Sequence, residues 1–420
     1  MNHFQKALIK LLAYSLWIFG TTSIQANPPA SVIKPSGYSQ SELDTALLNF
    51  YQDWKATYLV QQCGEGRYLV DMAADGNTVE GGTAASTLTT SEAHGYGMLI
   101  MVMMADFDPQ AKRIFDGMVD FFHDHPAQSA RGLMAWNQLR NCKEAGENVG
   151  GRHSASDGDM DIAYAFLLAD KKWGSSGKIN YKHEAINVIT AIRQHEVDPE
   201  NHFIRLGDWV DDIDDGQYAN TTRSSDFMVS HLKAYADATG DKSWNKVRDT
   251  TYAIMASIRQ TDSPKTALMP DFIVGLPHHP QPAKAMFLEG GDDGAYSWNA
   301  ARYPWRVALD YRLYGDKRAR SALAPINQWI INITHGDPKR IADTYALDGT
   351  YSKDSGFNSM AFVSMFAVSA TIDPSNQAWL NALWENIKNK PVENEDYFGN
   401  TLKMLAMITI TGHWDKPLHL

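Results

Sequence analysis

The sequence predicts an all-α fold, because twelve segments carry apolar residues at the spacing of one helical face, while the stretches between them are rich in Gly, Pro, Asp and Asn. Twelve helices make six hairpins, which can close into an (α/α)6 barrel or stack as an open helical array. The first helix starts at a capping box of Ser39 and Glu42, and Leu43, Ala46, Leu47, Phe50, Tyr51 and Trp54 then mark its buried face. Further helices are expected at 90–105, 109–125, 157–173, 181–196, 225–240, 242–260, 299–314, 317–334, 356–371, 375–389 and 396–410. The connections Gly207 to Thr222 and Thr261 to Gly294 read as loops with short strands at most, long enough to wall a cleft.

Lys6 and Lys10 precede an apolar run from Leu11 to Gly20 that ends in small and polar residues at Ala26, the pattern of an export signal over residues 1–26. That run is too short to span a bilayer. Residues 27–38 are Pro-rich and predict an extended lead-in, and no linker divides 39–420, which is expected to be a single domain. The expectation is therefore a monomer outside the cytoplasm, secreted or periplasmic, with no membrane contact after signal cleavage. The chain carries a net charge of −11, which disfavours nucleic acid and suits a neutral or cationic substrate. Its two cysteines, Cys63 and Cys142, can make one bridge in an oxidising compartment, and they lack the paired spacing of a zinc site. No phosphate loop, dinucleotide fingerprint, zinc-protease motif or nucleophile elbow is present, so no metal and no cofactor is expected. Pro277-His278-His279-Pro280 makes a poor chelate, and the Asp211-Asp212 and Asp214-Asp215 runs read as solvated loop.

Three acidic neighbourhoods lie among glycines and aromatics rather than on charged helix faces. In Ser91-Glu92-Ala93-His94-Gly95-Tyr96-Gly97-Met98, burial beside Tyr96 would raise the Glu92 pKa and let it hold a proton. The plainer alternative has Ser91 capping the helix and Glu92 merely favouring its N-terminus. In Asp157-Gly158-Asp159-Met160-Asp161, Asp157 and Asp161 are one helical turn apart and could share a cavity, or the cluster could simply cap a helix; the calcium-loop pattern fails, because Ile162 already begins the helix. The third stretch, Glu289 to Arg306, brings acids, aromatics and arginines to a loop-to-helix entry, or else is a Gly-rich turn before a core helix. Aromatic rings at such junctions, Trp136, Trp209, Tyr296, Trp298 and Trp305, offer faces on which the C–H surface of a sugar could pack.

These motifs together resemble glycoside hydrolase family 8. The run Ala155-Ser156-Asp157-Gly158-Asp159 leading to Ile162-Ala163, Ala169 and Trp173 follows the family signature, with Phe166 where a smaller aliphatic is usual. The stretch around Ser91-Glu92, Leu133-Met134-Ala135-Trp136 and Arg223-Ser224-Ser225-Asp226 are similar to further landmarks, and the likeness runs from about residue 40 to 370. The resemblance implies the closed (α/α)6 barrel and an inverting cut of a β-1,4-linked polysaccharide, with Glu92 as general acid. Many members carry an aspartate base just before the Ala-x-Arg of the third motif, where this chain has Asn299. A similar subgroup pairs that asparagine with an upstream loop glutamate, which implies Glu289 as base, Asn299 as positioner of water or substrate, and Asp157 as the group holding the distorted sugar. Tyr96, Trp136, Asp159, Trp209, Asp226, Tyr296 and Arg302 are expected at the substrate. Asp211, Asp212, Asp292 and Asp293 could meet protonated amines, so chitosan is favoured as the polysaccharide, with cellulose or mixed-linkage β-glucan as the alternative. A non-catalytic polysaccharide-binding barrel is the rival of a different class.

Overall fold

The structure is a computed structural model that describes residues 32–76, 86–213 and 216–417. The signal segment, residues 27–31 of the lead-in, residues 77–85, Asp214-Asp215 and the last three residues fall outside the described residues. Twelve α-helices appear among the described residues: α1 Gln40–Tyr58, α2 Ser91–Met103, α3 Ala111–Asp124, α4 Ser156–Trp173, α5 Tyr181–His195, α6 Val229–Thr239, α7 Ser243–Thr261, α8 Tyr303–Tyr314, α9 Lys317–Thr334, α10 Met360–Ala370, α11 Gln377–Lys388 and α12 Tyr397–Thr411. The even-numbered helices pack side by side in sequence order, and α12 closes on α2, so the array is a closed ring of six. Each odd helix lies outside, α3, α5, α7, α9 and α11 on the helix preceding each of them and α1 on α12. Ring closure decides between the barrel and the open array in favour of the (α/α)6 barrel.

Residue chemistry explains which helices go inside. α10, Met-Ala-Phe-Val-Ser-Met-Phe-Ala-Val-Ser-Ala, is buried along its whole length, and α2 is buried everywhere except Glu92. A helix apolar on all sides needs protein on all sides. Outer helices such as α3 bury one stripe, Ile114, Phe115, Met118, Val119, Phe121 and Phe122, and turn lysine, arginine and aspartate to water.

The connections are unequal. Segments entering five of the six inner helices are long (59–90, 125–155, 196–228, 262–302 and 335–359), 389–396 before α12 being the exception, whereas those leaving them are short, 240–242 and 315–316 being the extremes. One mouth of the barrel therefore carries nearly all the loop mass. Short antiparallel strands stiffen it: β1 Leu59–Gln61 pairs with β2 Tyr68–Val70, and β3 Thr87–Thr90 with β4 Asn137–Leu139. A three-stranded sheet orders β5 Thr222–Arg223, β6 Phe272–Val274 and β7 Gln281–Pro282 in sequence. The Cys63–Cys142 disulfide ties the first of these loops to the second. Leu206, Val210, Tyr218, Phe272 and Ala283 form a small core of their own under the loops entering α6 and α8.

Three inner helices start four residues later than their periodicity predicts, α10 among them at Met360. α6 begins at Val229, after a 3-10 turn over Ser224–Asp226, and α8 at Tyr303, after another over Ala300–Arg302. The buried Asp271 carboxylate accepts the N–H groups of Ser297, Asn299 and Ala300, which fixes the chain ahead of α8 in a non-α path.

Candidate active site

Glu92 is the second residue of α2, whose N-cap is Thr90 rather than Ser91; the Thr90 hydroxyl accepts the Ala93 N–H at 3.2 Å. Asp157 is the second residue of α4. The two helix starts meet because residue 158 has no side chain: a Cβ there would stand 2.4 Å from Ser91 Oγ and 2.7 Å from the Glu92 nitrogen. Gly95 serves the same contact from the other side, facing the Gly158 carbonyl and the Asp161 Cβ.

Arg302 ties the cluster together. Its Nη1 donates to Glu92, to Asp157 Oδ2 at 3.0 Å and to the Tyr96 hydroxyl at 3.2 Å, while Nη2 donates to Asn299 Oδ1 at 2.8 Å. The Asn299 amide in turn donates to Glu289 Oε2 at 2.8 Å. Arg223 stands across from Arg302, 3.1 Å from Asp157 Oδ1, 3.5 Å from Asp226 and 3.7 Å from Glu289. Glu92 and Glu289 are thus joined through an arginine and an asparagine.

The carboxyls differ sharply in electrostatics. Burial raises Glu92 to about 7; Arg302 opposes the rise and the Asp157 charge adds to it. Burial also pushes Asp157 upward, but Arg223, Arg302, Arg306 and the Gly158 N–H outweigh it and hold that carboxyl at about 2. A proton-holding carboxyl therefore sits beside one that stays ionised, the arrangement acid catalysis requires. Glu289 keeps 29% of its side-chain surface and is raised by its partial burial, against Arg223 and Asn299. It rides on a turn organised by the buried Asp293, which accepts the N–H groups of Leu288, Glu289 and Gly290.

The structure brings Glu92, Asp157, Glu289, Asn299 and Arg302 together and leaves Trp136 and Trp209 half-buried at the mouth. Four expected substrate contacts are corrected. Tyr96 is fully enclosed and braces Arg302; Asp226 is enclosed behind Arg223; Asp159 is enclosed, accepts the Met134 N–H and neighbours the buried Glu196. Tyr296 is packed among Tyr345, Phe362 and Phe366 in the core. None of the four has surface to offer a ligand. Asp161 does not share a cavity with Asp157 either: it is buried against Arg306 and His231. Asp271 escapes sequence reasoning, while Arg223 and Arg306 stand in the quoted motifs without a role of their own. Trp298, 41% exposed beside Phe362 and Phe398, lies next to Asn299.

Among the described residues no group of three or more His, Cys, Asp and Glu is arranged to hold a metal ion. Two hollows of about 390 and 330 Å³, between α3 and α5 and beside α7, contain none of the clustered residues.

The family model for glycosyl hydrolases family 8 matches residues 40–412. A β-glucanase of Niallia circulans is 42% identical over 382 residues, covering 91% of this chain and 88% of the relative. An endoglucanase of Bacillus sp. (strain KSM-330) is 39% identical over 393 residues, covering 93% and 80%. The apo structure of a β-1,3-1,4-glucanase from Paenibacillus sp. X4 superposes with a TM-score of 0.85 at 40% identity, covering 93% of this chain and 97% of that one.

Proposed function

The chain belongs to glycosyl hydrolase family 8, and from that premise we propose that it is an exported, monomeric, inverting endo-β-glucanase that cuts β-1,4-linked or mixed-linkage β-1,3-1,4-glucan. The observation that carries the residue assignments is the unlike pair of carboxyls on α2 and α4, linked through Arg302 and Asn299 to Glu289. Glu92, protonated below about pH 7, donates to the glycosidic oxygen as the bond breaks. Glu289 takes a proton from the water that attacks the anomeric carbon on the opposite face, and Asn299, a neutral amide, orients that carboxylate and the water. Asp157 stays charged beside the sugar and stabilises the oxocarbenium character of the transition state. Inverting carboxyls stand about 6.5–9.5 Å apart to admit water, and a spacing of two intervening side chains suits that requirement better than direct contact.

Glucan replaces the chitosan favoured by sequence. The three relatives described above are named for glucans, and two of the four acids expected to meet amines are already engaged: Asp293 is spent on three backbone N–H groups and Asp211 pairs with Arg205 at 2.7 Å. Trp136, Trp209 and Trp298 supply faces for glucosyl rings. Assays of lichenan, carboxymethyl-cellulose, chitosan and xylan, with product anomers followed by NMR, test this reading. Lichenan or carboxymethyl-cellulose should be cleaved fastest with inverted configuration; faster cleavage of chitosan sinks the substrate assignment. Glu289→Gln should lower kcat on glucan by about 10²–10³-fold, and an unchanged rate removes Glu289 from the base role.

A further inference from the structure

All five large hydrophobic side chains that stand exposed among the described residues, Met286, Leu288, Trp298, Tyr351 and Phe357, belong to the loops entering α8 and α10. Those loops share the mouth that holds Glu92 and Glu289. Such confinement points to a ligand surface rather than to scattered surface apolarity. Trp298 and Glu289 account for the loop before α8; Tyr351 and Phe357, 50% and 46% exposed, have no part in the chemistry described above.

Their setting is firm. Tyr296 and Tyr345 exchange backbone hydrogen bonds at 2.9 Å, the Asp343 N–H donates to the Gly356 carbonyl at 3.1 Å, and Ala342 bridges to Phe357. On this base the Tyr351 ring stands edge-on to Tyr345 and to Phe357, with centroids 5.8 and 5.4 Å apart. A run of ring contacts, Trp298 to Phe362 to Tyr296 to Tyr345 to Tyr351, connects the patch to the residue beside Asn299. In the six-membered inner ring α10, whose entering loop carries the patch, lies opposite α4, whose entering loop carries Trp136.

We propose that Tyr351 and Phe357 form an outer platform for the glucan chain, at the end of the cleft opposite Trp136. Glucosyl rings present apolar C–H faces that cover exposed aromatic rings, and a polymer running over Glu92 from the α4 side emerges at α10. The proposal rests on the endo-β-glucanase reading and adds a contact that only long substrates reach.

The test compares wild type with the double variant Tyr351→Ala/Phe357→Ala on lichenan and on a β-glucan tetrasaccharide. KM for the polymer should rise by about three- to tenfold with kcat retained, while constants for the tetrasaccharide stay unchanged. In a Glu92→Gln background the same double substitution should weaken retardation in lichenan-containing native gels, and Tyr351→Trp should preserve it. Equal losses on both substrates, or no loss on either, overturn the platform. A concentration-dependent dimer that the double variant abolishes also overturns it, by showing that the rings meet a second copy. Should the double variant fold poorly, Tyr351→Ala alone gives the same comparison. If wild type cleaves glucan and the variant matches it, only the platform falls; if wild type cleaves no glucan, the reading beneath it falls as well.

Discussion

Glu92 and Glu289 face the same cleft but are held in opposite ways. Glu92 sits where two inner helices touch through Gly95 and Gly158, with the Cys63–Cys142 bridge tying the loops on that side. Its position is set by backbone packing, and its proton affinity by burial beside Asp157. Glu289 projects from a loop turn supported by Asp293, Asn299 and the ring of Phe287 against Tyr218. A proton donor needs a dry, fixed seat, whereas a group that must work through water needs access. The contrast teaches that one site can draw its acid from the rigid scaffold and its base from a loop, so that each can be altered without the other.

The largest effect should follow from disturbing the helix contact. Gly158→Ala places a methyl within 2.4–2.7 Å of Ser91 and the Glu92 backbone, and misplacing the acid should lower kcat by about 10²-fold. Overpacking there should also reduce stability by about 1–3 kcal/mol in denaturant titration. A variant with unchanged kcat would show that the contact does not position Glu92. On the loop side, Asp293→Ala frees three N–H groups and should lower kcat by about tenfold. Its melting temperature should stay within a few degrees of wild type, because the barrel core is untouched; a large loss of stability would make the loop part of the scaffold.

The smallest effect is on pH dependence. Protonated Glu92 is the working form, so kcat/KM should fall as pH rises through about 7. Asp157→Asn removes a neighbouring negative charge, which favours ionised Glu92 and should move that alkaline limb to lower pH, whatever the residual rate. A limb that stays in place would mean that Asp157 does not tune the acid.

All twelve helices are legible in the sequence, because apolar residues recurring every three to four positions leave few other ways to bury them. Asp157 and Glu92 are legible through motifs, and Glu289 only as a stand-in for the aspartate missing at Asn299. Tyr96, Asp159, Asp226 and Tyr296 were misassigned as substrate contacts, since a motif records that a residue matters and not whether it touches a ligand or supports a neighbour that does. Ser91 against Thr90 as the helix cap is an error of one residue, within the usual blur of helix ends.

The chain's own order of residues determined the helical repeat, the acidic charge, the single possible cysteine pairing and the motifs that mark the family. Only the tertiary structure decided that the ring closes at α12 and α2, that Arg302 bridges residues 210 and 145 positions distant, and that two similar carboxyls acquire opposite proton affinities. Periodicity and capping act between near neighbours, so sequence carries them; burial and charge pairing depend on which distant residues share a space, and that is settled only when the barrel closes.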